Sequence, residues 1–167
     1  MLPAKTLKLD RIDLHILALL QRQGRMGNND LAEAVGLSPS PCLHRVRRLE
    51  AAGYISGYSA HVNLAKLGDP QIVFTQVTLS NHRREDFLRF ESAMAALDQL
   101  LEAHLVSGGF DYLLKFITRG IADYQALMDD LLARDLGIEK YFTFIVLKSP
   151  VVKPEYPLSV VVDQPSD

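Results

Sequence analysis

Between Asn28 and Glu50 the chain reads NNDLAEAVGLSPSPCLHRVRRLE, a stretch that fits two short helices joined by a tight turn. Asn28 or Asn29 is suited to cap the first helix, and Leu31, Ala34 and Val35 supply its apolar face. Gly36 then permits the left-handed backbone that ends it, and Leu37 packs the turn. Ser38 stands at the cap of the next helix. Pro39 and Pro41 fall in its first turn, where a missing N–H costs nothing. Along this helix Cys42, Leu43, Val46 and Leu49 point one way, and Ser40, His44, Arg47 and Arg48 the other.

The flanks complete a motif. Asp10 is placed to cap an earlier helix reaching about Gln23, with Ile12, Ile16, Leu19 and Leu20 in one stripe and Gly24 at its end. Gly53 stops the later helix, and Ile55 to Asn63 alternates enough for a strand or short ribbon. Three helices and a ribbon predict a winged helix-turn-helix over residues 1–63, opened by a loose arm from Met1 to Leu9. Its outward row suits a DNA groove. Arginines reach phosphates or guanine edges, and Ser40 and His44 hydrogen-bond base edges near a helix N-terminus. The candidate DNA contacts are Asn28, Asn29, Ser38, Ser40, Pro41, His44, Arg45, Arg47 and Arg48. The same row also fits a merely solvated helix face.

Charge is distributed to match. Residues 1–60 hold eight Lys/Arg and five Asp/Glu, net +3, while residues 61–167 hold ten and fifteen, net −5. The sum is the −2 of the whole chain, so a polyanion partner is expected for the first part alone. One cysteine, Cys42, excludes an intrachain disulfide and reads as a small core residue. The five histidines show no metal-ligand spacing, and no nucleophile elbow or phosphate loop occurs, so neither cofactor, metal nor catalysis is expected. With no signal-like apolar core in Met1 to Arg11 and no membrane-length run, a cytoplasmic, nucleoid-associated protein with no membrane partner is expected.

Residues 64–70, LAKLGDP, read as a linker. Beyond them the pattern changes. Gln71 to Leu79, Leu100 to Val106, Tyr112 to Thr118 and Gly137 to Lys148 read as strands. Arg84 to Leu97 and Ile121 to Arg134 read as helices. The order β-α-β-β-α-β predicts a ferredoxin-like unit over 71–150, with both helices on one face of an antiparallel sheet. The other face needs cover, so pairing between chains is expected. A proline-bearing tail, 151–167, reads as irregular. The fold class is thus α+β, a winged helix-turn-helix domain joined to a ferredoxin-like domain. The turn Ser107-Gly108-Gly109-Phe110-Asp111-Tyr112 is the second candidate site. Its glycines permit close approach and a small nest for a carboxylate, Asp111 suits an ammonium, and Tyr112 can bound a pocket. The alternative is an ordinary hairpin turn, with Asp111 bonded to its own backbone.

Leu9-Asp10-Arg11-Ile12-Asp13, GLSPSPCLHRVRRLEAAGYI at Gly36 to Ile55, and HLVSGGFDYLLK at His104 to Lys115 together resemble one family. It is the leucine-responsive regulatory protein/AsnC family of transcription regulators, and the resemblance covers about Leu9 to Lys148. The family more often has Asp where this chain has Gly109. The resemblance implies a homodimer assembling to a tetramer, octamer or larger, bound to double-stranded DNA. It also implies an amino-acid-like effector at Ser107, Gly108, Gly109, Asp111 and Tyr112, near a dimer–dimer contact. Gly137 to Phe142 is similar to branches that govern single amino-acid catabolic operons, with proline the first candidate effector. Two other readings are an architectural DNA-binding protein without effector response and a small-molecule-binding module on the ferredoxin-like half.

Overall fold

The computed structural model describes residues 7–162, so residues 1–6 of the expected arm and the end of the tail, with Pro165, lie outside it. By its internal contacts the described chain divides into two units, one of residues 7–61 with 151–162 and one of residues 62–150.

In the first unit, helix α1 spans Arg11–Arg22. A reciprocal cap opens it: the Asp13 amide donates to Asp10 Oδ1 at 2.8 Å, and the Asp10 amide donates to Asp13 Oδ2 at 3.2 Å. Helix α2 spans Asn28–Ala34 and α3 spans Pro39–Ala51. Both end in the same way. After α2, Gly36 takes φ +70°, its N–H bonds the Glu33 carbonyl at 3.1 Å, and the Leu37 N–H bonds the Ala32 carbonyl at 2.8 Å. After α3, Gly53 takes φ +77°, with Gly53 bonded to Glu50 at 3.0 Å and Tyr54 to Leu49 at 2.9 Å. Each is a Schellman turn, in which a left-handed glycine lets two orphan carbonyls be satisfied. The first of these carries the chain from α2 into α3. Ile16, Leu31, Ala32, Cys42 and Leu49 form the buried core.

Several local expectations are corrected. Gly27, not Asn28 or Asn29, is the cap residue of α2, and Asn28 instead donates its side-chain amide to the Pro39 carbonyl at 2.9 Å. Ala32 rather than Ala34 is buried, because the core lies toward the side of α2 that Leu31 faces. Ser38 occupies the cap position of α3 but makes no side-chain capping bond. Residues 55–63 pair with no strand, so the expected strand is not formed. Tyrosines hold this segment instead, Tyr54 Oη donating to the Leu7 carbonyl at 2.9 Å and Tyr58 Oη to Glu50 Oε1 at 2.9 Å. The tail is not wholly irregular, since Leu158–Val161 forms a single helical turn, α6.

In the second unit a 3-10 turn at Leu64–Lys66 precedes strand β1, Gln71–Leu79. Then follow α4 (Arg84–Ala95), β2 (Leu100–Leu105), β3 (Tyr112–Thr118), α5 (Ile121–Ala133) and β4 (Ile138–Ile145). The sheet order is β2-β3-β1-β4, every neighbour antiparallel. β1 and β3 alternate strictly in burial: Val73, Thr75, Val77 and Leu79 face the helices with Tyr112, Leu114, Phe116 and Thr118. Phe90, Met94, Tyr124, Met128 and Leu131 complete that core. Tyr124 Oη sits 2.8 Å from Thr75 Oγ1 and 2.8 Å from Thr143 Oγ1, so the buried hydroxyls of Thr75 and Tyr124 are both satisfied. The opposite sheet face carries Phe74, Gln76, Leu113, Lys115, Phe142 and Phe144, which pair across the strands. No described element of the unit covers it, and Phe142 and Phe144 are each 50% exposed. No helix among the described residues is long and apolar enough to cross a membrane.

A methyl group at residue 36 would meet no neighbour, so the cost of Gly36→Ala is the strain of the left-handed backbone alone. Urea denaturation should show a loss of about 1 kcal/mol. Gly57→Ala, equally open but without positive φ, should leave the midpoint unchanged.

Candidate nucleic-acid and effector sites

The surface of α3 is decided by one carboxylate. Asp13 on α1 is fully buried, and a buried carboxylate must find donors. Arg45 Nη1 reaches Asp13 Oδ1 at 2.8 Å and Asp10 Oδ2 at 2.7 Å, and Arg48 Nη2 reaches Asp13 Oδ2 at 2.7 Å. Burial raises the Asp10 carboxyl. The bond from the Asp13 amide and the Arg45 guanidinium outweigh that and hold it below the usual carboxylate range. The same two acids raise the Arg45 guanidinium further.

This splits the row of arginines. Arg48, expected on the outward face, is turned to α1, and so is Arg45. Arg47 is exposed, with no ion pair or hydrogen bond to another described residue. Ser40, Pro41 and His44 are exposed beside it, so residues 40, 44 and 47 make one stripe at spacings of four and three. Asn29 and Ser38 are exposed at the starts of α2 and α3, and Asn28 is half-buried between them. Leu43, expected inside, is 38% exposed, while Cys42 and Leu49 are sealed in the core. Burial pushes the Cys42 thiol up, and it acts here as a packed apolar group.

In the second unit the turn 106–111 is tied at its base and open at its tip. The Val106 N–H bonds the Asp111 carbonyl, and the Asp111 N–H bonds the Val77 carbonyl, both at 2.9 Å. Asp111 Oδ2 accepts the Leu79 N–H at 2.7 Å, and Oδ1 lies 2.9 Å from His82 Nε2. The carboxylate expected to take an ammonium is therefore already engaged on both oxygens, by β1 and by the segment after it. Tyr112, expected to bound a pocket, is buried instead. Its hydroxyl donates to Glu91 Oε1 at 2.7 Å and its ring packs on Phe90 at 4.7 Å. Burial and Glu91 both push that hydroxyl far up. Ser107, Gly108 and Gly109 remain exposed, with nothing within 4 Å of where a Cβ would stand on either glycine. Gly108 has φ +151°, which the turn can adopt at no steric cost only with glycine. His82 escaped sequence reasoning because its link to Asp111 spans 29 residues and follows no local spacing. Among the described residues, no group of three or more His, Cys, Asp or Glu could hold a metal ion.

Residues 9–56 match the winged helix-turn-helix DNA-binding family, and residues 72–156 match the Lrp/AsnC ligand binding domain. The chain is 47% identical over 154 residues to the transcriptional regulatory protein DoeX of Halomonas elongata, covering 92% of this chain and 97% of that one. It is 44% identical over 140 residues to the leucine-responsive regulatory protein of Escherichia coli, covering 84% and 85%. A crystal structure of a transcriptional regulator of Neisseria meningitidis in complex with L-Met superposes with a TM-score of 0.86 at 28% identity, over 93% of this chain and 100% of that one.

The split of the arginines separates two substitutions. Arg47→Ala should weaken binding to duplex DNA while leaving the thermal midpoint unchanged. It should also flatten the salt dependence, lowering the slope of log affinity on log salt by about 0.9 for each phosphate that goes unneutralised. Asp13→Asn removes charge-assisted bonds in the core and should cost about 2 kcal/mol of stability. Anisotropy titrations across a salt series, paired with urea melts, distinguish the two.

Proposed function

We propose how a chain that belongs to the Lrp/AsnC family of transcriptional regulators, as this one does, uses its two sites. The first unit binds double-stranded DNA with sequence specificity. Ser40, Pro41, His44 and Arg47 enter the major groove, and Asn29 and Ser38 approach the backbone. The observation that carries this is the free stripe of residues 40, 44 and 47 on a helix whose other arginines are bound to α1. Arg45 and Arg48 then act at one remove, by holding α3 on α1.

The second unit binds an amino acid at Ser107, Gly108 and Gly109, whose open backbone suits a carboxylate. Two relatives support an amino acid: one is named leucine-responsive, and the other was solved with L-Met. The exposed tip is one wall of a site rather than a cleft, and ligand sites are concave. A second copy of the chain supplies the other wall. The half-exposed aromatic sheet face supports a homodimer formed through it, with dimers assembling further to tetramers or octamers. A dimer presents two α3 helices, so half-sites lie about one DNA turn apart or a multiple of it. Effector binding shifts DNA affinity by favouring one assembled state. The protein acts on chromosomal DNA in the cytoplasm as a binding protein, not an enzyme, and controls genes of amino-acid metabolism.

A thermal-shift screen of the twenty amino acids, followed by footprinting upstream of the chain's own gene, tests this reading. One or a few amino acids should raise the melting temperature and change the footprint. Gly108→Asp, which strains the turn and sets a carboxylate against the ligand's own, should abolish that change and leave DNA affinity without effector intact. A footprint indifferent to every amino acid would sink the effector half of the reading.

A further inference from the structure

Helix α1 is apolar on more than the side that faces the core. Leu14 and Ala18 lie one turn apart on another side, among Arg11, His15, Gln21 and Arg22. In so small a unit that stripe would stand in water, but residues 155–162 lie along it. Three hydrogen bonds fix their register. Arg22 Nε donates to Glu155 Oε2 at 3.0 Å. The Tyr156 N–H donates to Gln21 Oε1 at 3.0 Å, and its carbonyl accepts from Gln21 Nε2 at 3.4 Å, so one side chain engages both backbone groups of one residue. Pro157 then caps α6, in which Leu158 is half-buried. A tail held only by apolar adhesion would need no such paired amide.

The chain path gives this contact a consequence. The backbone leaves the first unit after residue 61, builds the sheet unit over 62–150, and returns to the first unit at 151. The sheet unit therefore joins the helical unit covalently at both of its ends. One connection enters through residues 62–70. The other ends on α1, whose Asp10 and Asp13 hold Arg45 and Arg48 of α3. We propose that residues 155–162 are a clasp, docked on α1, through which ligand binding in the sheet unit is transmitted to the DNA-reading helix. The transmission rests on the effector reading above, whereas the docking does not.

Hydrogen exchange of the full chain reads the docking. The amides of Tyr156, Val160 and Val162 donate to Gln21, Pro157 and Leu158, and should exchange more slowly than in a free peptide of the same sequence. Arg22→Glu and Glu155→Arg should each speed that exchange about threefold, the scale of one exposed ion pair, and the double swap should restore it. Anisotropy titrations of an operator duplex, with and without each of the twenty amino acids, read the transmission. Each single reversal should narrow the effector-induced change in affinity, and the swap, which keeps the net charge of the parent, should recover it. Exchange at the free-peptide rate in the parent chain overturns the clasp. So does slow exchange with an effector response that the single reversals leave unchanged. A parent chain whose DNA affinity ignores all twenty amino acids overturns the effector reading instead, and the exchange measurement still decides the docking.

Discussion

A carboxylate cut off from water has to be met by donors, and in this chain that requirement shapes the exposed surface of α3. Asp13 has no exposed surface, and its oxygens are met by Arg45, Arg48 and the Asp10 amide. Those bonds fix α3 on α1 by charge-assisted contacts as well as by the packing of Ile16 against Cys42 and Leu49. They also turn two of the three arginines of α3 toward α1 and away from the exposed stripe proposed to meet DNA. What remains is narrower than a basic helix, and so better suited to reading than to adhesion. A phosphate-coating surface needs many cations, whereas a reading surface needs a few side chains held at a fixed angle.

Much of this is legible in the sequence wherever a local rule decides it. Gly36 and Gly53 announce their turns because left-handed backbone is costly for other residues. β1 and β3 announce themselves by alternation, since each presents one face to the helices. What is not legible has a shared cause. Arg48 is outward by helical spacing, yet it turns toward a partner 35 residues away, which no periodicity encodes. Asp111 reads as a partner for an ammonium or for its own turn, but it is engaged by the Leu79 amide of β1, 32 residues away. Residues 55–63 carry strand-like side chains but lack a neighbour to pair with, and without a ladder no strand forms. The hydroxyl of Tyr112 suggests a pocket wall, while strand register places its ring in the core against Phe90.

The sheet unit shows the same contrast between its two faces. Toward the helices, the apolar side chains of β1 and β3 are buried and the hydroxyls of Thr75, Tyr124 and Thr143 bond one another. Away from them, charge and aromatic surface are interleaved. Lys140 lies 4.7 Å over the Phe142 ring, and Lys115 bonds Glu102 at 2.6 Å. Lys115 and then His104 hold the Glu102 carboxyl below its usual range. Such a face is specific in what it can pair with, because a partner must match its charges in register as well as cover its rings.

The return of the chain from the sheet unit to the helical one also bears on how the protein is made. Synthesis runs from the N-terminus, so α1, α2 and α3 leave the ribosome first and α6 last. The helical unit can form its inner core early, but the outer side of α1 gains its cover only after the entire sheet unit has been translated. A product that stops short of residue 151 carries reading helices with Leu14 and Ala18 uncovered. Helix α1 and residues 155–162 thus meet across the whole length of the sheet unit, and the contact between them is a physical record that everything encoded in between has been produced.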